Sequence, residues 1–265
     1  MNIRTYGTDE RLVFCREYLY RAHLEGVEEI LLLPIPSSRG VDKERVLSIV
    51  GESLEKRESR ADLRRGETVV VGYGIPKDIK EELAPLGVLF VDVSKAEEFL
   101  AENSRLTAIG TVGRLLYEEN AAPCELSIGI IGLGRIGRAL LGLLLPFGAI
   151  PVVFTANEGA RAELGVSGIA CAPYGALNDE KTLREIGSFD YLINTAPARI
   201  VGEAVAPALR DVKIIELASG DNFPEGLDVV RLPSLPARKY PKSAGKCLAR
   251  SVLRMLGEGN KTLFE

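Results

Sequence analysis

The residues best placed to do chemistry are three glycines. Gly132-Leu133-Gly134-Arg135-Ile136-Gly137 follows an apolar strand-like run, Leu126 to Ile131, and precedes an apolar helical stretch, Arg138 to Leu145. G-x-G-x-x-G between a strand and a helix is the pattern that binds the pyrophosphate of a dinucleotide. The first glycine permits a tight turn, the second lets the phosphates approach the backbone, and the third lets helix pack on strand. Helix amides and the helix dipole then hold the phosphate charge. The next strand, Pro151 to Phe154, falls where a βαβ unit needs it, which separates this pattern from a glycine turn kept for packing. Arg135 and Ile136, inside the turn, are counted with the glycines as cofactor contacts.

The end of that next strand selects the dinucleotide, because an acidic side chain there would bond the ribose hydroxyls of NAD. The strand end itself offers Thr155-Ala156-Asn157, with Glu158 just beyond and Arg161 nearby. A hydroxyl, an amide and a cation tolerate a 2′-phosphate, so the expected cofactor is NADP, with NAD as the alternative. Further on, Asp190 to Asn194 reads as a strand, and Thr195, Ala196 and Pro197 at its end either line the nicotinamide side or serve only as a loop. Glu216, at the end of the strand Val212 to Leu217, is either a base near the site or a structural acceptor.

These residues need elements to position them. Ile3–Tyr6, Glu29–Pro34, Thr68–Val71 and Val88–Val91 read as strands, with amphipathic helices from Glu10 to about Ala22, from Lys43 onward and from Asp78 to Leu83. Such alternation predicts a parallel sheet with helices on its faces. Ala96 to Glu119 reads as a helix interrupted and capped at Asn103-Ser104-Arg105. Leu235 to Gly245 reads as a proline-punctuated cationic loop before a terminal helix. The expected architecture is α/β in two domains, a flavodoxin-like parallel sheet and an NAD(P)-binding Rossmann domain. The expected boundaries are 1–120, 121–240 and a C-terminal helix in 241–265 that packs back toward the first domain.

Composition narrows the function. The 265 residues carry 33 basic and 37 acidic side chains, a net charge of −4, with 46% apolar residues. That is a globular balance and a poor electrostatic match for nucleic acid or an anionic membrane. Asp9, Glu10 and Arg11 interrupt any leader-like run. The longest apolar run, Ala139 to Phe154, is shorter than the roughly 20 residues a spanning helix needs. Cys15, Cys124, Cys171 and Cys247 form no C-x-x-C pair, which argues against a zinc ribbon or a disulfide framework. A cytoplasmic location without metal is expected. His23 is the one histidine, so imidazole-based catalysis is largely excluded and no catalytic base is assigned.

Several segments together resemble the dehydrogenase-subunit family of dipicolinate synthase. Gly7-Thr8-Asp9-Glu10-Arg11 stands where that family has a Gly-Gly-Asp-x-Arg turn, and Ser37 to Gly40 resembles its strand-end serine loop. Asn103 to Gly110 resembles its Asn-Ser-Ile-Pro-Thr-x-Glu-Gly segment. Ile193-Asn194-Thr195-x-Pro197, Leu217-Ala218-Ser219 and Pro241-Lys242-Ser243-Ala244-Gly245 match its later signatures. The chain departs from the pattern at Leu106 and Ile109, at Gly220 where an arginine is usual, and at Ser234 and Ala237 where glycines are usual. It is also short by about one strand and helix between Ala22 and Glu28.

The resemblance implies oxidation of dihydrodipicolinate, or its hydrated precursor, to dipicolinate during spore formation. Hydride and proton leave, the ring becomes aromatic, and the protein supplies orientation and charge pairing. The two substrate carboxylates would need cations and hydroxyls. Ser37, Ser38 and Arg39, Arg105 and Thr107, and Lys242 and Ser243 are the candidates, expected in loops before helices and around a crevice between the domains. The flavoprotein-like second component of dipicolinate synthase and a homo-oligomer are the expected partners. Two other readings stay open: a cofactor-binding paralogue or sensor without turnover, and a 2-hydroxy-acid dehydrogenase, which lacks its usual late histidine here.

Overall fold

The computed structural model describes residues 1–22, 24–38, 40–58, 67–118, 121–186 and 189–257. Strand and helix alternate through the first part as β1 (Asn2–Thr5), α1 (Glu10–Ala22), β2 (Val27–Leu32), α2 (Lys43–Glu58), β3 (Glu67–Gly72), α3 (Lys77–Leu83), β4 (Leu89–Asp92) and α4 (Glu97–Glu118). The second part runs β5 (Ile128–Ile131), α5 (Arg135–Leu144), β6 (Val152–Phe154), α6 (Glu158–Val166), β7 (Cys171–Ala172), α7 (Glu180–Ile186), β8 (Tyr191–Asn194), β9 (Lys213–Glu216) and β10 (Val229–Arg231). Two helices close it, α8 (Leu235–Lys239) and α9 (Pro241–Met255). The chain forms two compact units, Met1–Asn103 with Pro236–Glu265, and Ser104–Leu235. The sequence reading sets joints at 120 and 240, whereas the chain passes between the units within α4 and again at Leu235/Pro236.

The first unit holds an all-parallel sheet in the order β1-β2-β3-β4. A flavodoxin-like sheet runs 2-1-3-4-5. Without its second strand the same sheet reads in plain chain order, as expected of a chain short by one strand and helix after α1. β1 then becomes an edge, and its Ile3 amide donates to the Tyr20 hydroxyl at 3.3 Å. That contact occupies a donor otherwise open to a foreign strand. Successive residues of β2 are buried on opposite faces. Ile30 and Leu32 pack with Leu12 and Leu19 of α1 and Leu248 and Val252 of α9, while Leu31 packs with Val46 and Val50 of α2 and Ile79 of α3. Burial on both faces is why the strand reads as a continuous apolar run.

The second unit is an all-parallel six-stranded sheet ordered β10-β9-β8-β5-β6-β7. Counted from β5, this is the 3-2-1-4-5-6 order of a dinucleotide-binding sheet, and the order reverses between β5 and β8.

Three local expectations are corrected. The Asn103-Ser104-Arg105 segment does not interrupt α4, which continues through it; Leu106, Ala108, Val112 and Leu115 are buried along the helix, and the Thr111 hydroxyl donates back to the Thr107 carbonyl. Residues 235–245 are not a loop, because Pro236 and Pro241 sit in first helical turns, where a missing N–H costs nothing. α5 starts at Arg135, inside the glycine motif rather than after it. All four cysteines are free. Burial pushes the Cys247 thiol up to about 11 and Cys15 higher still, which leaves both inert in the α1–α9 core. Among the described residues no helix is long and apolar enough to cross a membrane, and no group of His, Cys, Asp and Glu could hold a metal ion.

Candidate functional site

The glycine motif sits at the strand-order reversal, and each glycine has its own reason to be there. Gly132 leaves β5 at φ +92°, and its amide donates to the Phe154 carbonyl at 2.8 Å. A Cβ there would lie 2.7 Å from the Thr195 hydroxyl. At Gly137 a Cβ would lie 2.1 Å from the Gly132 carbonyl oxygen, so only glycine lets α5 close on the turn. Gly134 differs: its backbone is extended, it caps α5 without a side chain, and nothing lies within 4 Å of its absent Cβ. The structure therefore has open space where a phosphate would approach the first turn of α5. The residues present fit a dinucleotide. Arg135 is exposed and Ile136 half-buried beside it.

Thr195 anchors the opposite side of this cleft. Its amide donates to the Ile131 carbonyl at 2.8 Å, and its hydroxyl reaches the Ile131 and Gly132 carbonyls at 3.0 and 3.1 Å. Its hydroxyl is committed to the turn, while Ala196 is buried and Pro197 exposed. At the end of β6 the Arg161 guanidinium donates to the Thr155 carbonyl at 2.7 Å. The Thr155 hydroxyl accepts from the Asn157 amide, and the Asn157 side chain caps α6 by accepting from the Ala160 amide at 3.0 Å. Asn157 is exposed and can meet a ribose while it caps.

The substrate candidates are distributed differently. Ser37 is a correction: it is fully buried, and its hydroxyl donates to the Pro34 carbonyl at 2.8 Å while accepting from the Tyr73 amide at 2.9 Å. It fastens the turn after β2 to the end of β3, and its one donor is spent, so none is left for a carboxylate. Ser38 is exposed beside it, and Arg39 lies outside the described residues. Lys242 and Ser243 are exposed in the first turn of α9, also in the first unit. Arg105 and Thr107 belong to the second unit, within α4 rather than in a loop before a helix; Arg105 is exposed and Thr107 buried.

Other family-like residues have structural work to do. Asp9 accepts from the Arg11 amide at the start of α1 and pairs with the buried Arg11 guanidinium at 2.7 Å. The same guanidinium donates to the Ile35 carbonyl at 2.7 Å, which ties α1 to the chain leaving β2. Gly245 lets α9 approach α1, since a Cβ would lie 2.5 Å from the Arg11 carbonyl oxygen. Ser234 keeps φ at +55°, a region uncommon for a residue other than glycine.

One feature was left open by the sequence reading and another was missed by it. Glu216, the open one, is buried at the end of β9 and accepts from Asn194, Asn222 and the Ala218 amide. Burial pushes its carboxyl up, against the pull of those donors and of Arg231. The missed one is a cavity of about 690 Å³ lined by Arg199, Asp221, Phe223, Leu227, Val229 and Arg231, among others. Both draw on separate segments with no shared spacing, so no linear pattern marks them.

No family model matches the chain. The chain is 24% identical over 239 residues to the A subunit of dipicolinate synthase from Bacillus subtilis, covering 86% of this chain and 77% of that protein. Among solved structures, the A chain of dipicolinate synthase from Bacillus subtilis superposes with a TM-score of 0.73 at 17% identity, covering 97% of this chain and 96% of that one. The corresponding dipicolinate synthase structure from Bacillus halodurans gives 0.71 at 18% identity, covering 97% and 98%. The resemblance seen in the sequence motifs therefore extends along the chain and to the fold.

Proposed function

We propose that this protein is a nicotinamide-dinucleotide-dependent dehydrogenase acting on a small ring dicarboxylate of the dipicolinate type. The observation that carries the cofactor half is Gly134, a side-chain-free helix cap with open space before it at the strand-order reversal. In this reading the first turn of α5 holds the pyrophosphate, with Arg135 and Ile136 flanking it. Asn157 and Arg161 meet the adenosine ribose and favour NADP over NAD, and Ala196 and Pro197 border the nicotinamide. When bound, the cofactor supplies the hydride acceptor.

The substrate half is supported by the likeness, over most of the chain, to the A subunit of dipicolinate synthase. Lys242 and Ser243, with Ser38, Arg39 and Arg105, are the groups we assign to the two carboxylates; Ser37 and Thr107 are buried and are not among them. Work alongside a flavoprotein-like second component, assembly as a homo-oligomer, a cytoplasmic location and a place in spore formation belong to the same proposal.

One observation favours a second reading, a cofactor-binding protein without turnover. Gly220, where the family carries arginine, sits at φ +100°, a conformation an arginine would adopt only under strain. The segment after β9 is thus built around glycine. Calorimetric titration with NADP and NAD, each with and without dipicolinate, separates the readings. Cofactor binding that tightens dipicolinate binding supports the dehydrogenase; cofactor binding with no dipicolinate binding supports the protein without turnover; binding of neither cofactor refutes both.

A further inference from the structure

We propose that Glu216 is a positioning residue that sets the two strand-end segments bordering the nicotinamide, an inference that rests on the cofactor reading above. Its carboxylate lies at the end of β9, between β8 and β10, only 2% exposed. One oxygen accepts from the Asn194 amide group at 3.0 Å and from the Ala218 backbone amide at 2.9 Å. The other accepts from Asn194 at 3.1 Å and from Asn222 at 3.1 Å. Asn194 passes the constraint on, because its carbonyl accepts from the Ala196 amide at 3.0 Å and its amide group also donates to the Ala196 carbonyl at 3.1 Å. Asn222 does the same on the other side by donating to the Ser219 carbonyl at 3.2 Å. One buried group thereby fixes the segment after β8 and the segment after β9 together. Ligands bind outside these carboxyl ends of the strands.

The chemistry requires an ionised acid. Every neighbour named above presents a donor, so an amide or a protonated acid would set donor against donor. A buried carboxylate is also a costly choice for a sheet interior that Ile214 and Ile215 otherwise fill. The geometry explains its retention as placement of the Ala196 and Ala218 segments rather than as stability. Arg231, its register partner on β10, is the cation facing it, and Arg231 is paired in turn with Asp221 at 2.7 Å. From β8 and from the 218–222 segment it meets neutral amides. Burial raises the carboxyl, so acidification protonates Glu216 before an exposed carboxylate and loosens both segments together.

The test measures NAD affinity of the full chain by calorimetry between about pH 4.5 and pH 8, a range in which the pyrophosphate stays ionised. Thermal unfolding is recorded alongside. Wild type should lose affinity toward the acid end. Glu216→Gln should bind about tenfold more weakly at pH 8 and lose the pH dependence. Asn222→Asp places a second carboxylate beside the first and should move the midpoint upward, a change that a merely structural role would not produce. Glu216→Gln that unfolds earlier yet binds NAD with the wild-type affinity and pH profile overturns the proposal, as does an unmoved midpoint in Asn222→Asp. If Glu216→Gln does not fold, the Asn222→Asp midpoint decides by itself. Wild type that binds neither NAD nor NADP overturns the cofactor reading and this proposal with it. Loss of affinity in Gly134→Val with none in Glu216→Gln overturns this proposal only.

Discussion

Replacing the second and the third glycine of the motif should separate binding from folding. At Gly134 the backbone is extended (φ −77°, ψ −161°) and, chain neighbours aside, nothing lies within 4 Å of the Cβ position, so the Cβ of Gly134→Val enters open space. The substitution changes only the helix cap, at a cost of about 1 kcal/mol, and the melting temperature should fall by a few degrees at most. The new side chain fills the space a pyrophosphate would use. Losing two charge-assisted bonds to the helix amides, each worth about 1.5–3 kcal/mol, should weaken cofactor binding by roughly 10² to 10⁴-fold. Gly137→Ala should do the reverse. Its methyl would lie 2.1 Å from the Gly132 carbonyl oxygen, a backbone atom with little freedom to move. Overpacking of this kind costs roughly 1–3 kcal/mol, enough to lower the melting temperature by roughly 2–12 °C. Thermal unfolding and calorimetric titration with NAD and NADP read both variants. A folded Gly134→Val protein that binds cofactor with unchanged affinity would refute the reasoning, and so would a Gly137→Ala protein that melts like wild type.

Asn157→Asp should keep the α6 cap, since aspartate caps as well as asparagine, while its charge opposes a 2′-phosphate. The ratio of NADP to NAD affinity, measured by titration with each, should fall about tenfold with little change in melting temperature. Asp92 accepts from the Ser94 hydroxyl at 2.7 Å, the Gly74 amide at 2.8 Å and the Lys80 ammonium at 3.0 Å. Burial pushes its carboxyl up, but these bonds outweigh burial and hold it well below the usual carboxylate range. The unfolded chain then binds the proton first, so the stabilisation is present above about pH 4 and is lost as pH falls below it. Urea unfolding from pH 2 to 7 should show Asp92→Asn less stable near neutrality and with a shallower acid limb than wild type. Gly245→Ala should destabilise by about 1–3 kcal/mol, although alanine in a helix normally gains about 1 kcal/mol over glycine. The sign of the shift in thermal unfolding decides whether the contact with the Arg11 carbonyl controls the approach of α9 to α1.

Local backbone chemistry is legible in the sequence. Gly132, Gly134 and Gly137 announced a strand, a turn and a helix because a left-handed turn, a helix cap without a side chain and a close helix–turn approach fall within one six-residue motif. The apolar runs of β2, β3, β5 and β8 announced parallel strands because strands covered on both faces need apolar side chains at every position. The shortfall of one strand and helix after α1 accounts for a sheet in plain chain order. What the linear pattern misjudged was how polar side chains are used. Asn103-Ser104-Arg105 resembled a cap, but the hydrophobic spacing on either side carries α4 straight through it. Ser37 reads as a ligand hydroxyl in a polar loop, but it accepts from the Tyr73 amide, 36 residues away.

The sequence by itself therefore determined the fold class and the place of the nucleotide turn, since both follow from side-chain period and from backbone freedom at single residues. Only the tertiary structure decided which polar groups remain available to a ligand. Hydrogen-bond capacity is spent across strands rather than along the chain. Glu216 read as a lone carboxylate at the end of a strand; adjacent β8 and the segment after β9 made it an acceptor for Asn194, Ala218 and Asn222 at once.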